Sequence, residues 1–387
     1  MSNVYDERVI KIQSWMRNEN IDFCVLCDPD TIYYASGFCG DLGMDFGRPM
    51  ILVIPQVGEC TMITPLLEEL LVKAMVLTED VRTWMDGAGS EWRKHLLDLF
   101  KGCKNSTIGI EQYKTPLPVF HWLQNDLRDV GLTDITDFLS GMKMIKSEED
   151  INIMRQAGQV AVAMAEAATE TIAEGVPEYE VALAVIAGGT RKAASFFKEE
   201  GPDLMLSPTI HDLQVINSGT DTQICHRRNS IRKLRKGDPI YLCFCAIAKF
   251  KQFKLGFDRE WFVGEAKEKH AMVYEVCIKA QQTGLDMIRP GVIAEDVHMA
   301  VNQVYRDAGF EAGYRTGRGI GYAYLEKPEL KTGDKTPLEK GMTLCLDGGI
   351  TIPGEFGARV GDSFVVTDTG IEILTPYPKD LKSLTVS

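Results

Sequence analysis

The chain lacks the features that would place it in a membrane or outside the cell. No apolar run approaches the ~20 residues that a bilayer-spanning helix needs. No basic start followed by an apolar stretch, as in a secretory signal, opens the sequence. Positive charge is also in deficit, because 42 Lys and Arg against 55 Asp and Glu leave a net charge of -13. We therefore expect a cytoplasmic protein that binds neither membranes nor nucleic acid, since so acidic a chain repels phosphate.

Cysteine pairs at metal-binding spacing are missing as well. The ten cysteines are scattered, and Cys24 and Cys27 have a C-x-x-C spacing but lie inside an apolar run. No second pair follows at the distance that a zinc ribbon requires. The pattern predicts buried free thiols in a reducing cytoplasm.

The residues that are present have the composition of a soluble globular enzyme, with 45% apolar and 25% charged. The length of 387 residues suggests two or three domains at roughly 150 residues each. In the first part, short apolar runs alternate with helical patterns, which predicts an α/β domain over residues 1–140. The predicted strands there are 21–27, 49–55 and 107–110, and the predicted helices are 9–19, 66–77 and 91–100.

The second part, residues 141–387, groups its helices and strands differently. Ser147 followed by three carboxylates is a helix-start signal, and the helix is predicted to continue to Gly175. Runs of helices and runs of strands predict an α+β domain. The other predicted helices begin at 177 or span 267–286 and 294–308, and the predicted strands are 240–246, 259–263, 342–346 and 363–366.

Six segments, in order and spacing, resemble one superfamily. They are IDFCVLCDPDTIYYASGF (21–38), MIKSEEDINIMRQAG (144–158), GVPEYEVALA (175–184), GRGIGYAYLEKP (317–328), EKGMTLCL (339–346) and the stretch 359–366. The chain resembles the creatinase, prolidase and methionine aminopeptidase superfamily, and within it is most similar to creatinase, through FGRP at 46–49 and PEYEVAL at 177–183. The resemblance implies an α/β N-terminal domain, an α+β pita-bread catalytic domain and a homodimer.

The resemblance also locates the family's metal ligands, which are two Asp, one His and two Glu in metal-dependent members. The corresponding positions here hold Cys243, Gly256, Arg318, Asp347 and Gly361. Divalent metal ions prefer carboxylate and imidazole ligands, and only one carboxylate remains at these five positions. Arg318 cannot ligate, because a protonated guanidinium has no lone pair to offer. The resemblance therefore implies an enzyme without metal, and we expect no other cofactor. Creatinase is itself a metal-free member.

Three residues are candidates for catalysis. His226 lies where creatinase carries a functional histidine, twelve residues before Asp238. Imidazole titrates near neutrality and can take a proton from water, although a loop histidine can also be structural. Asp258 and Asp347 match glutamates that bind the amidinium-like part of creatine. Paired carboxylates can hold a cation or orient water; the alternative is that Asp258 pairs with Arg259 or a lysine on the surface.

Two arginines and a cysteine are candidates for substrate binding in the catalytic domain. Arg318 and Arg359 belong to one predicted wall, and a guanidinium offers a planar fork of donors to a carboxylate. The alternative is an internal ion pair of Arg318 with Asp347 or Asp362. Cys243 points into the family's site and is either a nucleophile or a small residue that fills vacated space.

The N-terminal domain adds Phe46 and Arg48. By the resemblance, this arginine reaches the active site of the neighbouring subunit and holds the substrate carboxylate, a good use for a bidentate donor. The alternative is an arginine in a surface loop. The resemblance thus implies a homodimer with sites shared between subunits.

The expected function is hydrolysis without metal. We expect a creatinase-like hydrolase that cleaves a C–N bond of amidine, amide or ureido type in a small, polar, carboxylate-bearing molecule. Two alternatives remain open. One is a lyase on the same scaffold, and the other is a pita-bread protein that binds a partner without catalysis.

Overall fold

The computed structural model describes residues 4–40, 48–76, 78–85, 90–103, 105–127, 130–200, 205–210, 215–244, 249–311 and 313–386. The chain divides into two compact units, residues 1–143 and 144–387. The division lies three residues after the predicted boundary. No helix in the described ranges is both long enough and apolar enough to cross a membrane.

The first unit is built on a six-stranded sheet with the order β4-β3-β2-β1-β5-β6. Its strands are β1 (Phe23–Leu26), β2 (Ile51–Pro55), β3 (Thr61–Pro65), β4 (Asp80–Trp84), β5 (Ser106–Ile110) and β6 (Val130–Asp134). Its helices are α1 (Val4–Glu19), α2 (Pro29–Ser36), α3 (Glu69–Met75), α4 (Trp92–Leu99), α5 (Leu117–Asn125) and α6 (Thr136–Met144). β1 pairs with β2 in the antiparallel sense and with β5 in the parallel sense.

Two apolar cores lie on opposite faces of this sheet. In β1, the buried Cys24 packs in the core that contains Ile12 of α1, whereas its neighbour Val25 packs in the core that contains Trp92 of α4. Successive side chains of a strand point to opposite faces, so helices cover both sides. The predicted α/β domain is confirmed.

The structure corrects several predicted elements of the first unit. The single helix predicted over 66–77 is a 3₁₀ turn, Leu66–Glu68, followed by α3. β3 was not predicted, nor were β4 and β6, which lie at the two edges of the sheet. The residues of the two edge strands are mostly only partly buried, so these strands lack the apolar runs that mark the inner strands.

The second unit carries a larger, mostly antiparallel sheet with the order β13-β12-β14-β15-β11-β8-β7. The strands of the unit are β7 (Val215–Ser218), β8 (Pro239–Cys243), β9 (Lys249–Phe250), β10 (Phe253–Lys254), β11 (Asp258–Val263), β12 (Arg315–Gly319), β13 (Glu326–Lys331), β14 (Thr343–Ile352), β15 (Phe356–Val366), β16 (Ile371–Ile373) and β17 (Thr385–Val386). β9 pairs with β10 in a separate two-stranded sheet. Its helices are α7 (Glu148–Thr171), α8 (Glu178–Glu200), α9 (Glu268–Met287), α10 (Ala294–Asp307) and α11 (Leu381–Leu384). The predicted α+β domain is confirmed.

Local sequence explains where α7 begins. The Ser147 side chain accepts a hydrogen bond from the Asp150 backbone N–H, and the Asp150 side chain accepts one from the Ser147 N–H. This reciprocal capping box satisfies two amides that the helix itself leaves without partners. The helix start that Ser147 predicts is confirmed, although the helix ends at Thr171 rather than at Gly175.

The sequence predicted only parts of the two longest strands. β14 and β15 are 10 and 11 residues long, although only 342–346 and 363–366 were predicted. The missing parts contain Asp347, Gly348 and Gly349 in β14 and Arg359, Gly361 and Asp362 in β15. Glycine and polar residues interrupt the apolar pattern, and these interruptions lie in the candidate site.

Candidate active site

The register of four strands places the candidate residues in one row. Asp258 of β11 is opposite Cys243 of β8 on one side and Gly361 of β15 on the other. Gly361 is in turn opposite Asp347 of β14. Residues opposite each other in a sheet share a face, so the side chains of Cys243, Asp258 and Asp347 point to the same side. The sheet thus brings together three predicted residues that are far apart in the sequence.

Asp258 and Asp347 lie on either side of a glycine. A Cβ atom added to Gly361 would lie 2.6 Å from Oδ2 of Asp258 and 2.9 Å from Cβ of Asp347. Only a residue without a side chain fits between the two acids. The missing side chain therefore allows the two carboxyl groups to lie close together.

Asp258 is the more deeply buried of the two acids, with 4% of its surface exposed. The Tyr241 hydroxyl donates a hydrogen bond to Oδ1 of Asp258 at 3.1 Å, and the Cys243 thiol also bonds to this carboxyl group. Burial, followed by the charge of Asp347, raises the pKa of Asp258 to about 6. Asp258 can therefore exchange a proton near neutral pH. The alternative that Asp258 pairs on the surface is wrong, because the side chain is buried.

Arg318 forms an ion pair with the carboxylate of Asp347. Its Nε also donates to the carbonyl oxygen of Tyr324 at 2.7 Å. Of the two internal partners considered for Arg318, Asp347 is the one present, since Asp362 pairs with Arg259 at 2.6 Å. The guanidinium balances the charge of Asp347, which leaves Asp258 as the acid whose ionisation is disfavoured.

Arg359 lies on the same face, two residues before Gly361 along β15. Its Nη1 donates to the carbonyl oxygen of Thr222 at 2.8 Å, and its Nη2 donates to Oγ1 of Thr351 at 2.8 Å. The guanidinium carbon is 5.3 Å from the centre of the Tyr241 ring. Arg359 therefore borders the site next to Tyr241, as the predicted wall requires.

His226 lies in a turn that follows the 3₁₀ helix Gly219–Gln223, and its side chain is exposed. Asn217 holds this turn, because its Nδ2 donates to the carbonyl oxygens of Ile224 and Arg227, both at 3.2 Å. Asn217 is the partner of Tyr241 in the pairing of β7 with β8. The segment with His226 is therefore anchored beside the strand that holds Tyr241, while its imidazole faces solvent. The catalytic role of His226 stays a prediction.

The N-terminal candidates are less defined by the structure. Phe46 lies outside the described residues. Arg48 is partly buried and lies three residues before β2 in the first unit. Its role in a neighbouring subunit stays a prediction.

The donor atoms at the family's metal positions suit a divalent ion poorly. A Cβ atom at Gly256 would lie 2.5 Å from Sγ of Cys345 and 3.3 Å from Nη2 of Arg318, so this position has no room for a ligand side chain. Within the described part of the chain, no group of three or more His, Cys, Asp and Glu side chains is arranged to hold a metal ion. The nine cysteines that the structure describes are thiols, and four of them are buried.

Two residues of the site were not assigned a role from the sequence. Tyr241 precedes Cys243 by two positions in β8, so strand alternation alone would have placed it on the same face. Arg259 was considered only as a surface partner of Asp258. It is 1% exposed, and it donates to the backbone carbonyl of Asp258 rather than to its carboxylate. No sequence pattern predicts that contact.

The comparison with known families is decisive for classification. Residues 152–368 match Metallopeptidase family M24, and residues 8–145 match the Creatinase/Prolidase N-terminal domain. The chain belongs to the M24 family. Its second unit therefore has the pita-bread fold, and the predicted family and fold are confirmed.

Curated relatives cover most or all of the chain. The agropine synthesis cyclase of Rhizobium rhizogenes is 30% identical over 97% of this chain and 96% of its own length. The creatinase of a Bacillus species is 30% identical over 72% of this chain and 68% of its own. The Xaa-Pro dipeptidase of Pyrococcus furiosus is 25% identical over 97% of this chain and 99% of its own.

Solved structures show the same fold over the full length. The prolidase from Thermococcus sibiricus superimposes with a TM-score of 0.86 at 24% identity, and the match covers 100% of both chains. The X-Pro aminopeptidase from Thermotoga maritima has a TM-score of 0.82 at 22% identity, with 98% of this chain and 99% of that chain covered. At this level of identity the likeness concerns the fold alone.

Proposed function

We propose that the protein is a metal-independent hydrolase that cleaves a C–N bond of amidine, amide or ureido type in a small carboxylate-bearing molecule. The observation that carries the proposal is the ion pair of Arg318 with Asp347 beside the buried, protonatable Asp258. A permanent cation takes the place that a ligand histidine has in metal-dependent members, and it supplies fixed positive charge in the site. The names creatinase and Xaa-Pro dipeptidase, carried by two relatives, both denote hydrolases of C–N bonds.

The two acids have different roles in this proposal. Asp347 pairs with Arg318, and it attracts the cationic or polar centre of the substrate. With a pKa of about 6, Asp258 carries a proton in a fraction of the molecules at neutral pH, and this protonated form gives its proton to the leaving nitrogen.

The remaining candidates bind substrate or activate water. His226 takes the proton of the attacking water, because hydrolysis without a metal ion needs a side chain for this step. Arg359 and Arg48 bind anionic groups, and Phe46 contacts the substrate next to Arg48. In this proposal the protein is a cytoplasmic homodimer, and the partner subunit supplies Arg48 and Phe46. Cys243 is small enough to leave space for the substrate beside Asp258.

A second candidate function is ring closure with loss of a leaving group. The full-length similarity to a protein named agropine synthesis cyclase favours it. In a cyclase, a nucleophile of the substrate itself replaces water, so the same acid can protonate the leaving group. A lyase is the related case in which elimination replaces attack by water. The convergence of Asp258, Asp347 and Arg318 favours an enzyme over a protein that only binds a partner.

The test begins with a thermal-shift screen of guanidino, ureido, betaine and cyclic-amidine acids. A compound at 100 times its Kd stabilises the folded state by about 2.7 kcal/mol, which raises the melting temperature measurably. Compounds that bind are then incubated in water enriched in oxygen-18, and the products are analysed by mass spectrometry. Hydrolysis incorporates one solvent oxygen, whereas elimination and ring closure incorporate none.

Metal dependence is measured on the same preparations. We expect well under one equivalent of Mn, Fe, Co or Zn, and turnover that EDTA does not change. The Asp258→Asn variant serves as a control that should bind ligands without converting them. Activity that EDTA abolishes and Mn²⁺ restores would refute the proposal.

A further inference from the structure

The sheet of the second unit has one weakly paired boundary, between β11 and β15. These two strands pair through a single residue pair, Asp258 with Gly361. In contrast, β15 pairs with β14 through ten residue pairs, and β11 pairs with β8 through five. We call the boundary between β11 and β15 the seam. Asp258 lies on one side of it and Asp347, on β14, lies on the other.

The two catalytic candidates therefore depend on the seam for their separation. β14 and β15 form one rigid ribbon through their long ladder, and β8 and β11 form another. Backbone hydrogen bonds fix strand positions within each ribbon, but few are present between the ribbons. Whatever holds the seam also holds the distance between the Asp258 and Asp347 carboxyl groups.

Arg259 bridges the seam from the side of the sheet opposite Asp258. Its Nη1 donates to the carbonyl oxygens of Asp258 and Gly361, both at 2.8 Å, and so reaches both members of the single residue pair. Its other donors are also matched, because Nη2 donates to Oδ1 of Asp362 at 2.6 Å and to the Tyr377 carbonyl at 2.8 Å, and Nε donates to the Pro378 carbonyl at 2.9 Å. Five acceptors thus match the five N–H groups of the guanidinium.

Complete matching matters because the side chain is 1% exposed. A buried guanidinium is costly unless its charge is paired and its donors are satisfied. Asp362 supplies the charge, and the four carbonyl groups supply the rest. The bridge is therefore stiff, since a shift of either strand would break a buried hydrogen bond.

Other contacts also link the strands across the seam, but the two described below do not reach the pair at its centre. Oγ of Ser363 accepts from the Gly256 N–H at 3.0 Å and donates to the Gly256 carbonyl at 2.5 Å. The Arg359 N–H donates to Oε2 of Glu260 at 3.3 Å. These contacts lie to either side of Asp258 and Gly361, where they support the alignment of the strands.

We propose that Arg259 is a positioning residue that sets the separation of Asp258 and Asp347 by clamping the seam behind them. The inference rests on the proposed function of these two acids. Because strand neighbours alternate between faces, Arg259 does not reach the face on which the acids lie. Its effect is on geometry, and a misplacement of ~1 Å can cost roughly 10²-fold in rate.

The test compares three conservative variants. Arg259→Lys keeps the charge but offers three donors for five acceptors. Asp362→Asn is a milder change that keeps the shape of the anchor and removes its charge. Arg155→Lys is the matched control, because Arg155 also binds a carboxylate with two parallel bonds, to Glu372 at 2.7 and 2.8 Å, but does so away from Asp258.

The kinetic readout separates positioning from general loss of structure. We expect Arg259→Lys to lower kcat by about 10- to 100-fold with KM changed less than about twofold, since Arg259 does not contact the substrate face. Asp362→Asn should have a smaller effect in the same direction, and Arg155→Lys should match the wild type. Assays are run well below the melting temperature of each variant.

Hydrogen exchange tests the clamp without any substrate. Amides of residues 356–366 should exchange faster in Arg259→Lys and Asp362→Asn, and at the wild-type rate in Arg155→Lys. Unchanged exchange at the seam would overturn the inference, as would faster exchange with an unchanged kcat. If the wild type converts no compound, the proposed function fails, and exchange at the seam then decides on the clamp alone.

Discussion

Replacing Asp258 by asparagine should stabilise the second unit at neutral pH although it removes a catalytic candidate. Asparagine has nearly the same shape as aspartate, and its Oδ1 can still accept the hydrogen bond that Tyr241 donates at 3.1 Å. It cannot ionise. The substitution therefore removes the cost of a buried charge next to Asp347 and leaves the packing in place.

The size of the effect follows from the pKa of Asp258, which rises from the usual 3.8 to about 6 in the folded protein. One pH unit corresponds to about 1.4 kcal/mol, so ionisation of Asp258 lowers the stability by about 3 kcal/mol. A raised carboxyl pKa means that the folded state prefers the protonated form. The protonated form of Asp258 therefore contributes its full stability below pH 4. This contribution is lost as the pH rises through about 6 and stays lost at higher pH.

The assay is urea unfolding at pH 4 and pH 8, followed by hydrogen–deuterium exchange so that peptides of the second unit are measured separately. Asp258→Asn should exceed the wild type by up to about 3 kcal/mol at pH 8 and by almost nothing at pH 4. Asp347→Asn is the matched control. It removes the carboxylate that pairs with the buried Arg318, so it should lose about 3–5 kcal/mol.

Two results would refute this reasoning. An Asp258→Asn variant that is less stable than the wild type at pH 8 would mean that the carboxylate is stabilised in the fold. A stability difference of equal size at pH 4 and pH 8 would mean that the substitution acts through packing and not through charge.

Four further substitutions probe the site. Gly361→Ala places a Cβ 2.9 Å from the Cβ of Asp347. It should lower the free energy of unfolding in urea by about 1–3 kcal/mol and abolish most of the activity. Gly370→Ala is the control, because a Cβ there has no atom within 4 Å, and it should change neither quantity. Arg48→Ala should raise KM at least about tenfold while sedimentation still shows a dimer; a wild-type monomer at micromolar concentration would contradict the shared site. Cys243→Ser should keep most activity and Cys243 should resist alkylation at neutral pH, whereas a covalent substrate adduct on this thiol would make it the nucleophile. His226→Ala should lower kcat at least ~100-fold and remove the acidic limb of the pH profile of kcat/KM. It should change the free energy of unfolding by less than about 0.5 kcal/mol, because the side chain is exposed. A near-normal kcat would mean that another residue is the base.

The sequence predicted the elements that carry their own signal. Ser147 and its three following acids predicted the start of α7, and the apolar run 240–246 predicted β8, which ends earlier, at Cys243. The missed parts of the two large sheets include the strands β3, β4, β6, β7, β12 and β13 and the inner parts of β14 and β15. Partly buried, glycine-rich or charged strands lack the period-two apolar pattern on which such predictions depend.

The sequence predicted which residues form the candidate site, but it did not predict all of the contacts between them. Cys243, Asp258, Asp347, Arg318 and Arg359 were all named, and the structure places them around one face of the sheet. The sequence does not decide whether Arg318 pairs with Asp347 or with Asp362, because the two acids lie in the neighbouring strands β14 and β15. Alternation along β15 decides it, because Asp347 is opposite Gly361 and faces the site, whereas Asp362, the next residue of β15, faces the other side with Arg259.

The residue types alone carry the expectation that the site works without a metal ion. An arginine at position 318 and glycines at 256 and 361 offer no side chain that binds a metal ion, whatever the fold around them. Only the tertiary structure decided the pKa of Asp258 and the clamp formed by Arg259. Both depend on burial and on neighbours about a hundred positions away in the chain, such as Gly361, and a linear pattern carries no information about such neighbours.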